Sequence, residues 1–159
     1  MHSPVMIHWF RRDLRLADNT ALQVAVESGA QVVPLFVFDP AILASPNTGA
    51  PRVAFLLRAL EALDRSLRDR GSRLLIRHGR PVEVVPAVVR AFRAAGVTCN
   101  ADYSPYARAR DSAVSAALDV PVHRFDDAVL RAPGTVVKAD GKPYTVFTPF
   151  KNQWRALPP

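Results

Sequence analysis

The residues with the most chemical potential stand in two short clusters. Trp9-Phe10-Arg11-Arg12-Asp13-Leu14-Arg15 sets two aromatics beside three arginines and a carboxylate. Asn100-Ala101-Asp102-Tyr103-Ser104 groups an amide, a carboxylate, a phenol and a hydroxyl. Aromatic faces suit a planar heterocycle, and polar groups suit its edge. Each residue also has a plainer use. Trp9 and Phe10 are of types that more often fill a core. Arg11 or Arg12 can pair with Asp13 to fix the loop, and Asp102 can cap the helix that follows. Cys99 ends an apolar run and reads as a small buried hydrophobe.

Several chemistries are missing from the sequence. There is no Gly-x-Gly-x-x-Gly, no Gly-x-x-x-x-Gly-Lys-Ser/Thr and no Gly-x-Ser-x-Gly, which argues against a dinucleotide fingerprint, a phosphate loop and a hydrolase elbow. No carboxylate pair or Cys/His cluster offers a hydrolytic site. His8, His78 and His123 lack metal-ligand spacing, and His2 stands at the terminus. The sequence therefore assigns no catalytic and no metal-binding residue.

The elements that must position these clusters alternate regularly. Apolar runs at Val5–Phe10, Val32–Phe38, Leu74–Ile76, Val97–Cys99 and Val120–His123 read as five strands. Between them lie helical periods. Asn19 and its neighbours supply N-cap chemistry before Ala21, Leu22, Ala25 and Val26, and Gly29 ends that helix. A second helix from near Arg52 carries Val53, Leu56, Leu57, Leu60, Leu63 and Leu67 as its apolar stripe and closes at Gly71. A third buries Val85, Val88, Val89 and Phe92. Pro86 cannot donate a backbone hydrogen bond, which places this helix's start just before it. A fourth runs from Tyr106 to Leu118. This order predicts a Rossmann-like α/β fold: a five-stranded parallel sheet with helices on both faces and strand order 3-2-1-4-5. Ligands of such sheets bind outside the carboxyl ends of the strands where the order reverses, here between the first and fourth. Trp9, Phe10, Arg11 and Arg12 leave one side of that crevice, and Asn100, Asp102 and Tyr103 leave the other. Beyond residue 130 the pattern changes. Asp140–Tyr144 reads as an exposed turn, and Phe147–Trp154 is aromatic without clear periodicity.

Composition sets the outer bounds. The 159 residues suit one domain with a real core. Hydrophobic content of 49% and charged content of 22% are ordinary for a globular chain. No apolar run reaches the ~18 residues of a membrane span, and the N-terminus does not read as a signal peptide. A single cysteine excludes an internal disulfide and fits a cytoplasmic location. The net charge of +7 suits a polyanion partner. The basic residues are scattered rather than gathered, however, which argues against nucleic-acid contact by this domain alone.

Five stretches, in order, carry a resemblance. They are Trp9–Asn19, Arg52–Leu56, Gly71–Leu74 with Gly79-Arg80-Pro81, Asn100–Asp111, and Gly141–Phe150. Together they resemble the DNA photolyase and cryptochrome family over essentially the whole chain. The resemblance implies that residues 1–130 are an α/β antenna domain and that 131–159 begin the connector to a helical FAD-binding domain. It implies that this helical domain, absent from the chain, holds the catalytic FAD and most of the surface that binds damaged DNA. It also implies an antenna dye bound by Arg11, Phe36, Val37, Arg52, Asn100, Asp102 and Ser104, to which the crevice adds Trp9 and Phe10. Folate-binding members carry a glutamate where Ser104 stands, so 8-hydroxy-5-deazaflavin or flavin is favoured over folate. The function implied is light harvesting for a deoxyribodipyrimidine photolyase that repairs cyclobutane pyrimidine dimers, with no repair by this part alone. A cryptochrome photoreceptor and a stand-alone flavin- or nucleotide-binding module are the alternatives. Phe147, Phe150 and Trp154 are expected to be exposed without the missing domain.

Overall fold

The computed structural model describes residues 3–158; Met1, His2 and Pro159 lie outside the described residues. Contacts divide the chain into two compact units, one ending at Asp127 and one beginning at Ala128. The first unit holds five strands: β1 (Val5–Phe10), β2 (Gln31–Phe38), β3 (Leu75–His78), β4 (Gly96–Asn100) and β5 (Val122–Phe125). They form one sheet in the order β3-β2-β1-β4-β5, and every pairing is parallel. The fold class is that expected from the alternation of apolar runs and helical periods, and the strand order is the expected 3-2-1-4-5. Period-two alternation along β1 divides its side chains between two cores. Ile7 and Trp9 join Leu35, Val37, Val97 and Cys99 in one. Phe10 and Phe36 join Leu74 in the other.

The helices of this unit are α1 (Thr20–Glu27), α2 (Pro40–Leu43), α3 (Ala50–Arg68), α4 (Pro81–Phe92) and α5 (Pro105–Ala116). Leu60, Leu63 and Leu67 of α3 cover the Phe10 core. Val85, Val88 and Val89 of α4 and Val114 of α5 cover the Trp9 core. Proline marks the starts. Pro40, Pro51, Pro81 and Pro105 all stand at a first or second helical position, where the missing N–H has no intrahelical acceptor and the fixed φ already suits a helix. This corrects one expectation. Helix α4 begins at Pro81, and Pro86 lies inside it with its ring buried. Two stripe residues also differ: Leu57 and Phe92 are exposed. Short α2 follows β2 directly because Asp39 accepts the Ala41 N–H and caps it.

In the second unit, Val137 and Pro143 form an antiparallel bridge around a turn that Gly141 closes at φ +78°. Helix α6 (Phe147–Ala156) follows. Pro149 is tolerated there because the first four N–H groups of a helix need no internal partner. Arg131 donates to the carbonyls of Leu157 and Pro158, and its guanidinium lies 5.0 Å from the Trp154 ring centre. Trp154 is therefore half-buried, whereas Phe147 is 72% exposed. Among the described residues no helix is long and apolar enough to cross a membrane.

Candidate ligand-binding site

A cavity of about 640 Å³ opens at the carboxyl ends of β1 and β2. That size is ordinary for a small-molecule site. Its strand side is Trp9, Phe10, Phe36 and Val37. Arg52, Phe55 and Leu56 come from the first turns of α3, and Pro81 is the first residue of α4. Asp102, Ser104, Tyr106 and Arg110 come from the β4–α5 loop and α5. The walls are mainly aliphatic and aromatic, with arginines Arg11, Arg12, Arg52 and Arg110 set among them. The cavity covers the expected switch-point crevice and extends over β2 as well.

Eight of the nine residues expected to bind a ligand line this cavity: Trp9, Phe10, Arg11, Phe36, Val37, Arg52, Asp102 and Ser104. Asn100 is not among its lining residues. Its amide donates to Asp13 at 2.5 Å and to Asn19 at 2.8 Å, and its carbonyl accepts the Ala21 N–H at 2.9 Å. Asn19 in turn caps α1 through the Leu22 N–H. Asn100 thus ties the end of β4 to the β1–α1 loop. Replacing Asn100 with alanine should cost about 1–3 kcal/mol, because buried polar partners lose their hydrogen bonds, and should leave ligand affinity within about twofold. Urea unfolding and ligand titration of the variant check both halves.

The arginines of the first cluster divide their work. Arg11 does not pair with Asp13 through its side chain. It reaches Asp111 at 2.5 Å, both side chains being 5% exposed, and Arg110 lies 2.8 Å from the same carboxylate. Asp13 instead accepts the Arg11 backbone N–H. Arg12 is exposed and sits 3.4 Å from Asp102. Arg15 turns away to Asp127 at 2.7 Å and to the Asp18 carbonyl, and Asp127 also accepts from Thr20. Much of the motif's polarity therefore builds the loop behind the cavity.

Electrostatics at the rim follow from these partners. Burial pushes the Asp102 carboxyl upward, but the Ser104 N–H and the Arg12 and Arg110 cations outweigh it and hold its pKa below the ordinary value. Ser104 caps α5 by accepting the Ala107 N–H at 3.2 Å. Burial, with a hydrogen bond donated to Asp39, pushes the Tyr106 phenol up to about 12. Tyr106 and Arg110, one turn apart on α5, were not expected at the site from sequence. Neither were Phe55, which is 75% exposed, and Ile42 of α2. The i,i+4 spacing of Tyr106 and Arg110 on one helix face was the available signal. Phe55 gave another, as a large apolar residue off the stripe of α3. Among the described residues no group of His, Cys, Asp and Glu could hold a metal ion.

Comparison with known proteins agrees with this architecture. The DNA photolyase family model matches residues 6–159. A 31.6 kDa protein of Synechococcus sp. PCC 6716, itself uncharacterized, is 44% identical over 99% of this chain and 57% of its own length. A deoxyribodipyrimidine photo-lyase of another Synechococcus strain is 38% identical over 99% of this chain and 33% of its own. The crystal structure of a class III photolyase from Agrobacterium tumefaciens superposes with a TM-score of 0.87 at 31% identity, over 99% of this chain and 33% of that one. An archaeal photolyase from Sulfolobus tokodaii, described with two FAD molecules and a novel light-harvesting cofactor, gives 0.82 at 30% identity over 94% of this chain and 34% of that one. The chain spans about a third of the length of the photolyases it matches. With a family model that matches from the first strand onward, a sheet of the expected strand order and a cavity at its carboxyl edge, the chain belongs to the DNA photolyase family.

Proposed function

We propose that the first unit is a light-harvesting domain that holds a planar dye in the cavity at the ends of β1 and β2. The observation that carries this reading is the cavity itself. Its size suits a fused-ring dye, its apolar walls suit the ring faces, and its arginines and Asp102 suit a polar edge. Phe36 and Val37 from β2 and Leu56 from α3 would bear on the rings. Arg12, Arg52 and Asp102 would meet polar substituents. When bound, the dye absorbs light and passes its excitation to a second chromophore. That task needs no proton transfer and no nucleophile from the protein, in keeping with the residues present. In the whole protein this would serve light-driven repair of cyclobutane pyrimidine dimers, with FAD and damaged DNA held by a helical domain outside this chain.

The dye is an 8-hydroxy-5-deazaflavin or a flavin rather than a folate. Ser104 offers a hydroxyl already engaged as a helix cap, where a carboxylate would be needed to accept a charge-assisted bond from a pterin edge. The two FAD molecules of the Sulfolobus relative favour a flavin-type ring. Titrating the chain with 8-hydroxy-5-deazaflavin, FAD and a reduced folate, read by dye fluorescence, tests this. A flavin-type ring should bind at least roughly tenfold more tightly than the folate, the difference of one charged hydrogen bond. Preference for the folate, or binding of none, would overturn the assignment.

A further inference from the structure

Trp9 is 3% exposed yet lines the cavity. An indole beside an excited dye is a ready one-electron donor. Trp9 would give an electron to the excited ring and take it back, and the excitation would be lost as heat. A light-harvesting site has to prevent that loss. The surroundings of Trp9 are unusual in this respect. The Arg11 guanidinium carbon lies 5.0 Å from the ring centre and that of Arg110 lies 5.1 Å away. Both cations share one carboxylate, Asp111, so the three groups leave net positive charge beside the indole. Nε and Nη2 of Arg11 are buried with no hydrogen-bond partner in the protein. Its guanidinium is thus held by Asp111 on one side and stacked on the ring with the rest.

Cations over an aromatic face stabilise the neutral ring through its quadrupole. A ring that has lost an electron is itself positive and is repelled by the same cations. Both effects make the electron harder to remove. We propose that Arg11 and Arg110 hold the Trp9 indole hard to oxidise, so that it does not quench a dye excited in the adjoining cavity. The proposal rests on the light-harvesting reading above.

The test begins without dye, in a Trp154→Phe background where Trp9 is the sole tryptophan. The one-electron equilibrium of Trp9 against a soluble oxidant of known potential is measured. Arg110→Gln is expected to shift it about tenfold toward the oxidised indole, about 59 mV for one electron. Arg110→Lys, which keeps the charge, should return it to within about twofold. A shift of equal size in both variants would mark a merely structural role and overturn the proposal, as would no shift in Arg110→Gln. If Arg110→Gln does not fold, Arg110→Met makes the same comparison. The second measurement is the fluorescence lifetime of bound riboflavin. It should shorten several-fold in Arg110→Gln and lengthen again when Trp9→Phe is added; an unchanged lifetime overturns the proposal. A cavity that binds neither riboflavin nor the deazaflavin overturns the light-harvesting reading instead, and the dye-free equilibrium still decides whether the cations tune Trp9.

Discussion

Replacing Asp111 with alanine should destabilise the protein by about 3–5 kcal/mol, the usual cost of stranding buried charge. Asp111 is the shared counter-ion of Arg11 and Arg110, whose side chains are 5% and 8% exposed. Without it two guanidinium groups face each other in a site that water scarcely reaches. Against a total stability of 5–15 kcal/mol for an ordinary domain, that loss is a large fraction. The melting temperature should fall by on the order of 10–20 °C. Asp111→Asn keeps the shape and one acceptor, so it should lose less. Replacing all three groups by apolar residues of similar size should recover most of the loss, because the desolvation cost goes with the charges. A loss below about 1 kcal/mol for the alanine variant, in urea unfolding, would show that the pair is solvated and not structural.

Acid should weaken the fold as pH falls from 6.5 to 4, through one buried histidine. His8 is fully buried in β1, shares a 3.1 Å hydrogen bond between Nδ1 and Thr98 Oγ1, and meets the Phe10 ring edge-on at 4.3 Å. Its Nε2 is buried without a hydrogen-bond partner. Burial lowers its pKa from 6.5 to about 4, with Asp13 opposing and Arg11 assisting. The unfolded chain therefore takes up a proton as pH falls through 6.5, and the folded chain does so only near 4. The stability that neutral His8 contributes is complete above pH 6.5 and is lost between 6.5 and 4, to a total of about 3 kcal/mol. Asp102 and Asp127 also have lowered pKa values, but their contributions fade only as pH drops below the ordinary carboxylate value of 3.8. Urea midpoints measured from pH 7.5 to 4 should show the His8 slope. His8→Asn can still bond Thr98 and should flatten it. An equal slope in the variant would assign the acid sensitivity elsewhere.

Sheet and core were readable because they rest on local pattern. The apolar run Val5–Phe10 and the β-α repeat are enough for a parallel doubly wound sheet, whose expected order 3-2-1-4-5 is the one found, and Asn19 announces α1 by its capping chemistry. What escaped depends on partners far away in sequence. Sequence alone offers Arg11 the carboxylate of Asp13, two residues on, yet its partner is Asp111, 100 residues away. Asn100 has the polarity of a ligand contact and spends it on Asp13, Asn19 and Ala21. In sequence Pro86 reads as a barrier that delays the start of α4, whereas Pro81 is the true start signal. Helix α6 escapes the sequence reading because its aromatics follow no clear period and Val146 supplies no cap either. Of the cavity, the residues leaving the strands were legible, and so were those carried over by resemblance. Tyr106, Arg110, Phe55 and Ile42 were not, since the docking of α2, α3 and α5 around the opening decides which faces reach it.

The central position of β1 has a consequence for synthesis. One edge of β1 pairs with β2, which follows closely, but the other pairs with β4, and the contact of His8 with Thr98 spans 90 residues. At roughly 5–20 residues per second, that span takes on the order of ten seconds to emerge from the ribosome. During this wait a strand bearing Ile7, Trp9 and Phe10 has one ladder edge open, an invitation to pairing between neighbouring nascent chains on the same message. Of the three inner strands, β1 thus waits longest for its second neighbour, and its hazard falls while translation is still under way.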